Sequence, residues 1–166
     1  TEKPLLRTGP IPLYLLSKLV NQSGYKVVLT GEGADEIFGG YDIFKEAKIR
    51  SFWAKSPGSK LRPLLLARLY PYIFKDNRLN QTLIAFFKSG IENPDDPFFS
   101  HNIRWKNTAK IKNFFSEKVK DSNRNYDSYS ELMKLLPAEY FNWDIVTKAQ
   151  FLESMIFLSN YLLSSQ

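Results

Sequence analysis

One short run constrains this chain more than any other feature. Residues 25–30 (YKVVLT) are β-branched and apolar, lie between Gly24 and Gly31, and form the best strand in the sequence. A strand carries unpaired N–H and C=O groups along both edges, so one by itself makes no sheet. The expectation is a short core strand whose partners lie outside the 166 residues, the chain being an internal piece of a longer α/β domain truncated at both ends. What surrounds the strand is helical. Pro10 and Pro12 open a segment with Leu13, Leu16 and Val20 at helical spacing, closed by Gly24. Beyond Asp42 come residues 42–55, a segment broken by Pro63 and Pro71, and residues 79–90 closed by Gly90. Residues 105–115 have helical periodicity, 118–125 read as a polar linker, 128–136 stop at Pro137, and a last helix runs from about Asp144. Residues 1–50 thus form a strand and loop region, and 51–166 a mainly helical one.

Apolar residues make up 43% of the chain and aromatics 15%, too much for a disordered polymer. The absence of Cys excludes disulfides, thiolate metal sites and a cysteine nucleophile, and favours a cytoplasmic setting. Residues 151–163 are the longest strongly apolar segment, but Glu153 and Asn160 interrupt it and it falls short of the roughly 20 residues a bilayer needs. No membrane span is expected. The net charge of +6 is local in origin: residues 45–78 hold nine Lys or Arg against Glu46 and Asp76. A solvated helical face is the plain explanation, and a patch for an acidic protein or nucleic acid is the rival. His101, without companions, reads as a surface or capping residue, and Trp53, Trp105 and Trp143 as packing anchors.

Residues 27–41 (VVLTGEGADEIFGGY) carry the chemistry. After a strand, the N–H groups of Gly31, Gly33 and Ala34 are free, and a helix starting near Ala34 adds more donors for phosphate oxygens. Glu32, Asp35 and Glu36 would repel such a ligand unless Mg²⁺ bridged them, because this ion favours one or two carboxylates together with phosphate oxygens and water. The competing explanation is that the three acids only complement a helix dipole.

Residues 30–41 resemble the (S/T)GEG(A/S)DE(L/I)FGGY signature of the glutamine-hydrolysing asparagine synthetases and their close relatives. Residues 6–18 (LRTGPIPLYLLSK) resemble the segment leading into the helix before that strand, and residues 150–166 are more loosely similar to a helix that precedes a Gly-Asp-Arg run in the family. The resemblance implies part of one synthetase domain of the pyrophosphatase-loop ATPase type, with an adenine nucleotide alpha-hydrolase-like fold. It implies that ATP activates the side-chain carboxylate of aspartate as an acyl-adenylate and that ammonia from a separate glutaminase domain completes the amide. By position, Thr30, Gly31 and Gly33 are expected at the nucleotide, Glu32 in forming and aminating the adenylate, and Asp35 on Mg²⁺ with pyrophosphate. Arg7 is a further candidate for phosphate or substrate, and Glu36 is expected to be structural. The pyrophosphate-cradling Ser-Gly-Gly-x-Asp loop and the catalytic lysine of the family are not in these residues, so the chain alone is expected to be inactive. Nucleic acid is not an expected partner on this reading, a homodimer is compatible with it, and relatives that close lactam rings or amidate other carboxylates remain open.

Overall fold

The computed structural model describes residues 8–74 and 81–163. In chain order it contains α1 (Pro10–Gln22), α2 (Ala34–Phe38), α3 (Asp42–Ala54), α4 (Leu64–Leu69), α5 (Gln81–Lys88), α6 (Asn102–Ala109), α7 (Glu117–Ser122), α8 (Ser128–Met133) and α9 (Ile145–Leu152). Two 3₁₀ segments, Lys110–Phe114 and Ala138–Asn142, and a π-helix at Glu153–Leu162 complete it. Local punctuation places most of these ends. Gly24 and Gly90 follow α1 and α5 with φ of 82° and 74°, a left-handed conformation that other residues adopt at a cost. Pro63 and Pro71 bracket α4, as a ring that blocks helix continuation requires.

The expected strand is a correction. No strand is present among the described residues, and residues 25–30 are exposed, with Val27 at 79% and Leu29 at 94%. The sequence supplies β-propensity, but a ladder needs a second backbone, and none of the described segments offers one. The linker expected over 118–125 is also corrected, since α7 covers most of it. Ser116 Oγ accepts from the Val119 N–H (3.4 Å), and Lys120 Nζ reaches Glu117 at 2.8 Å, so a local cap and one i,i+3 pair support this short helix.

The chain divides into two compact units. The first takes its described residues from Thr1–Tyr41 and Gln150–Gln166. In it α1 leaves Ile11, Leu15, Leu16 and Leu19 exposed, while α2 packs against the π-helix. The second, Asp42–Ala149, holds the larger core. Trp53 of α3, Leu66 of α4, Tyr70, Phe87 of α5 and Ile103 of α6 are all buried there. Each such side chain contributes on the order of 2 kcal/mol by leaving water.

Two buried polar assemblies order that second core. Glu46 is fully buried and accepts two bonds from Arg104 (2.8 and 2.6 Å) and one from the Tyr70 hydroxyl (2.6 Å). Burial and the Glu46 charge both push the Tyr70 phenol up. Arg50, 1% exposed, donates to the carbonyls of Phe87 (2.9 Å), Ser89 (2.7 Å) and Phe99 (2.8 Å), and its guanidinium lies 4.4 Å over the Phe99 ring. Burial lowers its pKa to about 10, against the pull of Glu46, so it stays charged at neutral pH.

Replacing Arg50 with Met leaves three carbonyls without charged donors. Urea unfolding is expected to show a loss of at least about 3 kcal/mol. Asp144 caps α9 by accepting from the Val146 N–H (2.8 Å), the Thr147 N–H (3.3 Å) and the Thr147 hydroxyl. These bonds, that from the hydroxyl foremost, hold its carboxyl below its ordinary value of 3.8. A depressed folded pKa means the cap is fully formed above that value and is lost as pH falls through the lower one. The Asp144→Ala variant is therefore expected to lose about 1 kcal/mol at pH 7, with the difference from the parent fading in melts below pH 3.8.

Candidate functional site

The acidic glycine loop is built by five backbone features. Ala34 N–H reaches the Gly31 carbonyl (3.1 Å), and Ile37 N–H the Gly33 carbonyl (3.0 Å), closing the turn into α2. Gly33 has φ of 92°, and a Cβ there would meet Leu158 Cδ2 at 3.3 Å, so both its conformation and its packing call for glycine. Gly39 ends α2 with φ of 72°. Gly40 N–H returns to the Asp35 carbonyl at 2.9 Å, and a Cβ at Gly40 would lie 2.0 Å from Asp35 Oδ1. The Asp35 carboxylate therefore rests against a glycine that has no side chain to displace it.

The three acids take two directions. Glu32 and Asp35 are exposed, whereas Glu36 is 1% exposed. Tyr41 donates its hydroxyl to Glu36 Oε1 (3.0 Å), and Glu36 Oε2 is buried without a hydrogen-bond partner. The Tyr41 phenol is pushed up by burial first, then by its bond to Glu36 and by the charges of Glu36, Asp35 and Glu153. Its ring meets Phe157 edge-on at 6.4 Å between centroids. Gln150 reaches α2 from the far end of the sequence: Nε2 donates to the carbonyls of Glu36 (3.1 Å) and Ile37 (2.7 Å).

Of the residues expected at the site, Thr30, Gly31, Glu32 and Asp35 are exposed on one loop and Gly33 is its buried pivot. Arg7 lies outside the described residues. No group of three or more His, Cys, Asp or Glu among the described residues is arranged to hold a metal. Glu36, expected to be structural, is buried and accepts from Tyr41. Sequence reasoning gave Tyr41 no task and missed Gln150. The Phe-Gly-Gly-Tyr end of the signature could have drawn attention to Tyr41. Nothing local marks a glutamine that acts 114 residues away.

Other expectations fare unevenly. Trp53 is core; Trp105 is partly buried against Phe98, His101 and Tyr129, and Trp143 against Tyr140. His101 is not a surface residue: it is 6% exposed at the N-cap of α6, and its Nδ1 lies 2.8 Å from Ser100 Oγ with no cap bond from the side chain. The basic run is not one solvated face. Arg50 is buried and Arg62 lies over the Phe52 ring at 4.1 Å, leaving Lys45, Lys48, Lys55, Lys60 and Arg68 exposed, while Lys75 and Arg78 fall outside the described residues.

The asparagine synthase family model matches residues 1–163. Asparagine synthetase [glutamine-hydrolyzing] 1 of Bacillus subtilis is 26% identical over 163 residues, covering 89% of this chain and 24% of that protein. Asparagine synthetase B of Escherichia coli is 53% identical over 36 residues, 22% of this chain and 6% of that protein. Asparagine synthetase [glutamine-hydrolyzing] 1 of Arabidopsis thaliana is 42% identical over 53 residues, 32% of this chain and 9% of that protein. The matched portions thus span 6% to 24% of these relatives' own lengths. No solved structure gives a significant match. No helix among the described residues is long and apolar enough to cross a membrane.

Two glycines of the loop separate the packing requirement from composition. Gly40→Ala drives a methyl against the Asp35 carboxylate, which must swing aside, and is expected to cost about 1 kcal/mol in stability, with faster amide exchange at Gly39 and Tyr41. Gly31→Ala meets nothing within 4 Å and has no positive φ, so its melting curve should stay within about 0.5 kcal/mol of the parent.

Proposed function

This chain belongs to the asparagine synthase family, and we propose that it supplies the nucleotide loop of an ATP-dependent ligase that amidates the side-chain carboxylate of aspartate. The observation that carries the reading is the match over residues 1–163 to a family whose signature, residues 30–41, lies here on an exposed, glycine-flanked turn with Glu32 and Asp35 turned to solvent. Exposure matters because a triphosphate must approach the backbone closely.

In the proposed reaction an aspartate carboxylate oxygen attacks the α-phosphorus of ATP and pyrophosphate leaves. Ammonia released by a glutaminase centre then attacks the acyl carbon, and AMP departs with the shared oxygen. Thr30 and Gly31 line the approach of the nucleotide, and the buried Gly33, also assigned to it, shapes the turn beneath. Glu32 orients the reacting groups and accepts a proton from the incoming amine. Asp35 fits Mg²⁺ as one of the one or two carboxylates that ion takes beside phosphate oxygens and water. When bound, Mg²⁺ would neutralise charge on the departing pyrophosphate. Arg7 is assigned here to phosphate or substrate.

We also assign residues 25–30 to a strand paired within a pyrophosphatase-loop α/β domain of the complete protein, since Val27, Val28 and Leu29 present apolar surface that water disfavours. Protection of their amides in the complete protein, and none in residues 1–166 alone, is the expected exchange pattern.

Aspartate-dependent exchange of labelled pyrophosphate into ATP tests the mechanism. In the complete protein, Glu32→Gln is expected to slow coupled amide formation by at least about 100-fold. Unchanged exchange and synthesis would remove Glu32 from the mechanism. Exchange that requires a different carboxylic acid would keep the adenylation and reassign the acceptor.

A further inference from the structure

We propose that Gln150 is a positioning residue for the acidic glycine loop, fixing the rotation of α2 so that Asp35 faces the reacting groups while Glu36 stays buried. What is positioned rests on the ligase reading above; the clamp itself stands on geometry.

A five-residue helix has little stability of its own, because nucleation is costly and its last carbonyls have no partner within the helix. Here two of those carbonyls, on Glu36 and Ile37, receive both N–H groups of one side-chain amide at 3.1 and 2.7 Å. At the other end of α2, the Leu158 side chain lies 3.3 Å from where a Cβ of Gly33 would stand. A single stretch, residues 150–158, therefore holds both ends. Between them Tyr41 bonds Glu36 Oε1 and sets its ring against Phe157.

The hold has a directional consequence. Asp35 and Glu36 are neighbours about 100° apart around the helix axis, so any rotation of α2 moves both. Burial of Glu36, with one oxygen unpartnered, is compatible with a small range of rotation only, and leaving it requires moving a carboxylate past the Tyr41 and Phe157 rings. Gln150 closes that range from the backbone side. It does not touch Asp35, yet through the helix it sets where that carboxylate points.

The test uses the complete protein with Gln150→Glu, which keeps the shape but cannot donate, Gln150→Met, an apolar near-isostere, and Gln150→Lys, which restores a donor at similar reach. In the Glu and Met variants, amide exchange at Ile37, Gly39 and Gly40 is expected to quicken at least about 10-fold while the amides of α3 are unchanged. The kcat of aspartate-dependent pyrophosphate exchange should fall about 10- to 100-fold with the KM for ATP nearly constant, and Lys should recover most of the loss. A structural role alone would not separate kcat from KM in this way. Unchanged exchange at α2, or unchanged kcat with α2 loosened, overturns the proposal. A parent protein without aspartate-dependent exchange would instead overturn the ligase reading, and the α2 amides would still decide the clamp.

Discussion

Two hydrogen bonds from the Gln150 amide join positions 113 and 114 residues apart, and the acidic glycine loop depends on them. Such a loop has conflicting demands. Gly33 and Gly39 adopt positive φ and Gly40 packs against Asp35, so glycines crowd it for backbone and packing reasons, but each also enlarges the conformational freedom that folding must suppress. Rigidity has to come from outside the loop. The described residues provide it through Gln150 on α9 and through Leu158 and Phe157 in the π-helix that follows. A π segment of ten residues is unusual in itself, and its wider turn accompanies polar side chains folded back on their own backbone, with Ser159 and Asn160 both bonding the Met155 carbonyl.

What was legible in the sequence is what a few neighbouring residues decide. Gly24 and Gly90 end helices because only a residue without Cβ takes their φ readily, and Pro63 and Pro71 limit α4 because a proline ring excludes the preceding turn. The start of α2 at Ala34 was likewise readable from the signature, whereas the burial of Glu36 against Tyr41 was not. Where a distant partner decides, the sequence misleads. Residues 25–30 have every local mark of a strand and remain unpaired, because pairing is a property of two segments. His101 sits among Pro, Asp and Asn, which suggests solvent, and is nevertheless enclosed by Ser100 and Trp105. Gln150 looks like an ordinary polar residue on an apolar helix.

The second unit shows why net charge is a poor guide to surface chemistry. Three of its arginines are engaged by protein groups: buried Arg50 by three carbonyls, Arg104 by buried Glu46, and Arg62 by the exposed Phe52 ring and carbonyl. The lysines of the same run, Lys45, Lys48, Lys55 and Lys60, are exposed. The division follows from chemistry. A guanidinium is planar, weakly hydrated and offers five donors in a fixed fork, so it can be buried where carbonyls converge; an ammonium holds its water more tightly and carries three rotatable donors. Counting both as positive charge overstates the basic surface available to an anionic partner, and this weakens the interaction-module rival more than it weakens the ligase reading.

The same argument applies to the acids of the loop. Three carboxylates within five residues invite treatment as one cluster, and as a cluster they would repel one another and any phosphate. Helix geometry separates them instead. Glu32 precedes the left-handed turn at Gly33, Asp35 lies against Gly40 in the first turn of α2, and Glu36, one position further, turns under the helix to Tyr41. Two charges remain at the surface on either side of the pivot, and the third is held inward by a neutral hydroxyl donor. The sequence Glu-Gly-Ala-Asp-Glu is therefore better read by helical phase than by composition: the glycine sets where the phase begins, and the phase decides which acid can meet a ligand.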